Sequence, residues 1–144
     1  MKHDDKMDKV ATVAKLEAQK SAQEFSESQK SHSEKVAQLE QLMQFKADYE
    51  RTLTARGSEG MDARQFQDYR LFLTRLNEAI AQQTLELQGS EASLSAVREE
   101  WVSKSQRNQA LDQLVEDRHK ARLKAREKLE QKRADDDSLS RGQG

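Results

Sequence analysis

The sequence predicts an all-α fold in which two long helices form an antiparallel coiled-coil hairpin. Three observations lead to it. None of the 144 residues is proline, and good helix formers such as Ala, Leu, Gln, Glu, Lys and Arg abound, so little in the composition interrupts a helix. Apolar residues make up 34% of the chain against 35% charged, with seven aromatics among them, which is too little for the core of a compact globule and enough for a one-sided seam. Finally, Gly57 and Gly60 mark the one internal stretch with turn chemistry, because glycine tolerates positive φ and costs a helix about 1 kcal/mol relative to alanine.

Helix one is expected over about residues 5–55. Steps of three and four thread Ala11, Lys15, Ala18, Ala22, Phe25, Gln29, His32, Val36, Leu39, Met43, Lys46, Glu50 and Leu53, a thin stripe of mostly small side chains that Leu42, Phe45 and Tyr49 widen. The chain then turns at 56–60, and Asp62 is placed to cap the second helix. Helix two is expected over about 61–138, with a frayed tail at 139–144. Its stripe is stronger: Phe66, Tyr69, Leu73, Leu76, Ile80, Gln83, Leu87, Ser90, Leu94, Val97 and Trp101 keep the same steps, and apolar residues thin out beyond Trp101. Gly89 reads as a tolerated weak point in this helix.

Two such stripes joined by a short turn can hide only against each other. Pairing outward from the turn sets Leu53 near Phe66, Val36 near Ile80 or Gln83, Phe25 near Leu94, and Ala18 near Trp101, so that small residues face the largest one. In this register the first helix runs out near Lys6, and the second continues from about residue 114 as an overhang with no intramolecular partner. The heptad position of Trp101 assigns it to packing rather than to stacking on a base.

What is missing narrows the function. Without cysteine there is no disulfide, thiol nucleophile or thiolate metal site, in keeping with a reducing compartment. The charged N-terminus does not resemble a secretory signal and no apolar run has the length of a membrane span, so the chain reads as cytoplasmic. His3, His32 and His119 lie far apart, and no phosphate loop, nucleophile elbow or paired acids appear. No metal, cofactor or enzymatic activity is expected. The formal charge of -1 conceals a strong bias: residues 104–133 sum to +5, and 134–144 to -2.

Two features exceed what a bare hairpin needs. Arg118, Lys120, Arg122, Lys124 and Arg126 crowd a helical segment with like charges four residues apart, an arrangement that an anionic partner would relieve. Phe72, Leu76, Ala79 and Gln83, at spacings of four, three and four, share a face beside the main seam and suit docking to another protein; packing of Phe72 in the region widened by Tyr49 is the alternative.

The stretch from Tyr69 to Gln83, reading YRLFLTRLNEAIAQQ, followed by Trp101 and the late Glu130-Gln131-Lys132, resembles the FliJ family of the bacterial flagellar type III export apparatus. The resemblance extends over nearly the whole chain. It implies an antiparallel coiled coil similar to the central stalk of rotary ATP synthases, inserted in the hexameric export ATPase FliI, reaching the export gate protein FlhA, and escorting export chaperones. It implies a location at the cytoplasmic face of the inner membrane, held there through the apparatus. On the family pattern, Phe72, Leu76, Ala79 and Gln83 form the gate-binding patch, although Gln83 stands where relatives often carry histidine and cannot titrate near neutral pH. The basic segment would then meet the ATPase. Heptads alone leave open the equivalent stalk of a virulence secretion system, and the basic overhang leaves open a nucleic-acid-binding coiled coil, which would need cations aligned on phosphates and a steep salt dependence.

Overall fold

The computed structural model describes residues 2–142. It contains two helices and no strand among them: α1, Lys2–Glu59, and α2, Ala63–Gly142. They run antiparallel, as the sequence predicts. The chain divides into two compact units, one formed by Ala22–Glu100 and the other by residues 1–21 and 101–144.

The first unit contains the reversal, which is tighter than the sequence reading placed it. Residues 56–59, assigned to the turn, belong to α1, and the chain reverses over 60–62 alone. Gly57 is accommodated inside the helix, where the Ser58 hydroxyl donates to the Ala55 carbonyl at 2.8 Å. Gly60 ends it: with φ of 92° it occupies the left-handed region that side chains avoid, and its N–H donates to Gly57 O at 3.4 Å. Asp62 caps α2, its Oδ1 accepting the Gln65 N–H at 2.7 Å while its carbonyl accepts the Phe66 N–H at 3.1 Å.

Facing residues in this unit keep the expected register to within a turn. His32 Nδ1 lies 3.1 Å from Ser90 Oγ, and the Gln83 amide donates to Lys35 O at 3.5 Å and to Gln38 Oε1 at 3.3 Å. The α2 stripe is seated as read, Leu76 being its one buried member and Leu73, Ile80, Leu87, Leu94 and Val97 half-buried. Phe66 is the exception and stands exposed.

The α1 stripe needs correction. The positions seven apart, from Ala11 through Ala18, Phe25, His32, Leu39 and Lys46 to Leu53, do turn inward. Between them the residue three further on is also covered, at Ala14, Ser21, Ser28, Lys35, Leu42 and Tyr49; of the expected positions four further on, Ala22 and Val36 are half-buried, while Lys15, Gln29, Met43 and Glu50 are exposed. Neither set has a sharp hydropathy contrast, so the side chains opposite, not the α1 pattern, decide which one is sheltered.

The second unit is built differently. Ala11, Ala14, Ala18 and Ser21 are its buried residues on α1, all below the exposure of any large side chain in the chain except Leu76. On α2, Trp101, Lys104, Ser105, Asn108, Leu111 and Val115 are half-buried, and Lys104 reaches Glu17 at 4.0 Å. From Glu116 onward every described residue is exposed. This stretch spans about 40 Å at 1.5 Å per residue. The tail expected to fray from 139 is helical through Gly142; residues 143 and 144 lie outside the described residues.

Candidate docking surfaces

The first surface lies in the Ala22–Glu100 unit. At about 100° per residue, Phe72, Leu76, Ala79 and Gln83 fall within a narrow sector of α2. Their surroundings differ sharply. Leu76 is 7% exposed and belongs to the seam, and Gln83 is half-buried because its amide is committed to Lys35 and Gln38 on α1. Phe72, at 41% exposure, and Ala79 remain at the surface.

Phe72 is also part of an aromatic cluster. Its ring centroid is 4.6 Å from that of Tyr49 and 6.1 Å from that of Phe45, which meets it edge-on. Tyr49 in turn lies 5.2 Å from Tyr69, whose hydroxyl accepts from Arg56 while the guanidinium sits 5.7 Å from its ring centre. Such contacts hold one side of the Phe72 ring and leave the other available. The packing alternative is thus realised on one side of Phe72, and 41% of the residue stays exposed. Burial, with help from Tyr69, pushes the Tyr49 hydroxyl above its ordinary value near 10; Arg56 opposes the shift and Asp68 adds to it.

Sequence reasoning missed what α1 adds here. Gln38, Gln41, Leu42, Phe45 and Gln83 line an open groove of about 470 Å³ adjoining the cluster, and Phe45 is 51% exposed. The signal was available as the widening of the α1 stripe at Leu42, Phe45 and Tyr49, but hydropathy alone does not say which of these turn outward.

The second surface lies in the other unit, on the part of α2 beyond Val115. Arg118, Lys120, Arg122, Lys124 and Arg126 are all exposed, and at about 100° per residue Arg118, Arg122 and Arg126 fall on one side of the helix and Lys120 and Lys124 on another. Lys120 pairs with Glu116 at 3.3 Å. His119, Arg122, Leu123 and Arg126 line a shallow hollow of about 150 Å³. A helix that is cationic on two sides offers an enclosing partner more contacts than it offers a flat one.

Among the described residues no three His, Cys, Asp or Glu side chains gather where they could hold a metal ion, and no helix is long and apolar enough to cross a membrane.

The family described as "Flagellar FliJ protein" matches residues 2–143. The chain belongs to the FliJ family. A flagellar FliJ protein of Escherichia coli (strain K12) is 27% identical over 124 residues, which covers 86% of this chain and 84% of that relative. No solved structure matches. Membership in the FliJ family makes the chain a flagellar export component, and it gives the two exposed surfaces a common context.

Proposed function

We propose that the chain is a non-catalytic stalk of the flagellar type III export apparatus. The cationic end of α2 enters the ring of the hexameric export ATPase FliI, and the Phe72 face meets the export gate protein FlhA. The observation that carries this reading is the helix beyond Val115, which is long, fully exposed and carries cations on two of its sides between Arg118 and Arg126. A pore lined with acidic or polar groups can surround such a helix, with electrostatics guiding entry more than fixing affinity. On the gate side, the free face of Phe72 with Ala79 provides the contact, while Leu76 and Gln83 hold that stretch of α2 against α1. Export chaperones would be escorted by the same molecule, and its place at the inner membrane would be peripheral, through these partners.

The test combines the full-length chain with its cognate ATPase at low salt and tracks ATP hydrolysis and hexamer formation. Stimulation is expected for the native chain, with a loss of at least tenfold in apparent affinity when Lys120, Lys124 and Arg126 are all changed to Glu. Equal stimulation by the variant, or none by the native chain, overturns the ATPase assignment. For the gate, Phe72→Ala is expected to weaken binding with little change in helicity, and unchanged binding removes Phe72 from the contact.

A further inference from the structure

We infer that the exposed end of α2 pairs with a second copy of itself, antiparallel, about a two-fold axis passing near Leu129. The inference starts from the order of charges along residues 116–142. A basic block, Arg118 to Arg126, is followed after Leu129 by an acidic one, Asp135, Asp136 and Asp137. When two copies run antiparallel with their Leu129 side chains close together, the three aspartates of each lie alongside residues 121–123 of the other, within its basic block, while Arg126 comes opposite Lys132. The arrangement is self-complementary, as an isologous two-fold contact requires.

The face that would be covered satisfies the same operation. Steps of three and four carry the α2 seam through Arg118, Arg122, Ala125, Leu129, Lys132, Asp136 and Leu139, and the positions seven residues to either side of Leu129 carry opposite charges, Arg122 before it and Asp136 after it. Reversal about Leu129 therefore sets Arg122 opposite Asp136, twice over by symmetry, and brings Arg118 opposite Ser140, one residue from Leu139. Leu129 is 52% and Leu139 67% exposed in the single chain, so apolar surface is available for this contact. The segment's net charge is only +2, which keeps mutual repulsion small.

Small apolar area and reliance on charge make this a salt-sensitive association. It is distinct from the stalk reading and does not depend on it. The pair would cover the surface assigned above to the ATPase, so a second copy and the ring would compete for the same helix.

The experiment uses the full chain, which has no native cysteine and so accepts single labels cleanly. Sedimentation equilibrium at about 20 mM salt is expected to show dimers that dissociate at least tenfold more readily at about 300 mM. The same loss is expected for Asp135→Lys, Asp136→Lys and Asp137→Lys combined. That variant should regain dimers, as a mixed pair, with a chain carrying Lys120→Glu, Lys124→Glu and Arg126→Glu. With a short bismaleimide linker, Leu129→Cys should crosslink to itself. Arg118→Cys should do so only when mixed with Leu139→Cys. A chain that stays monomeric at 100 µM and low salt, a dimer indifferent to the aspartate changes, or self-crosslinking at Arg118→Cys would each overturn the inference.

Discussion

The two units solve the same problem with opposite materials. Between residues 22 and 100 the seam relies on large side chains, and most of them remain half-exposed even when well placed, Phe45 and Phe72 more so. In the unit that includes residues 1–21, α1 contributes Ala11, Ala14, Ala18 and Ser21, which are sheltered almost completely. A two-helix structure has no second layer to cover a phenylalanine, whereas an alanine can be enclosed by the larger side chains facing it. Burial here therefore tracks smallness rather than hydrophobicity. The aromatic seam leaves part of Phe45 and Phe72 uncovered, whereas the exposed apolar side chains of the other unit, such as Val10, Val13 and Leu16, stand outside its alanine seam.

The largest expected effects test that contrast directly. Among the described residues Leu76 is the one large side chain that reaches core-like burial, and Leu76→Ala should lower stability by about 3 kcal/mol in a urea titration. Phe72→Ala should cost visibly less, because its ring is already partly in water. In the alanine seam the sign of the perturbation reverses: enlargement does the harm. Ala14→Leu should cost about 2 kcal/mol through overpacking, while Lys15→Leu beside it should be nearly neutral. Equal effects at positions 14 and 15 would return α1 to the phase that its sequence pattern alone suggests.

That phase shows where the sequence stops being informative. Fold class, the α2 stripe, the Asp62 cap and the facing register all rest on strong local signals: leucine and isoleucine at steady intervals, and a carboxylate placed to accept from a free helix N–H. Along α1 the alternatives are Ala14, Ser21 and Ser28 against Lys15, Ala22 and Gln29, small or polar either way, and the partner helix makes the choice. The docking patch is half legible for a related reason. A spacing of four, three and four identifies a shared face, but the commitment of Gln83 to Lys35 and Gln38 depends on residues far away in sequence.

The glycines give a middle-sized test in which two changes should move in opposite directions. Gly60, in the left-handed region, should lose about 1 kcal/mol when replaced by Ala, although no atom obstructs the added methyl. Gly89 lies within α2 with equally open surroundings, and Gly89→Ala should raise stability by about 0.8 kcal/mol through helix propensity alone. Thermal melts of the two variants separate backbone conformation from steric fit. A loss at Gly89 would mean that this position serves a bend rather than a straight helix.

The smallest effect is confined to alkaline solution and to the aromatic seam. Tyr49 holds its proton more tightly in the folded chain than in the unfolded one, chiefly because burial disfavours the tyrosinate. Below about pH 10 the hydroxyl is protonated in both states and its contribution to stability is fully present. As pH rises past that value the unfolded chain releases the proton first, so the unfolded state binds fewer protons and is favoured. Stability is then lost progressively as pH passes through the folded pKa. Comparing melts at pH 7 and about 10.5, the native chain should lose more than Tyr49→Phe, which keeps the ring contacts with Phe45 and Phe72 but has no proton to release. Identical losses in the two proteins would show that the Tyr49 hydroxyl stays hydrated in the fold, and that the aromatic seam is open to water at its phenolic edge as well as at Phe72.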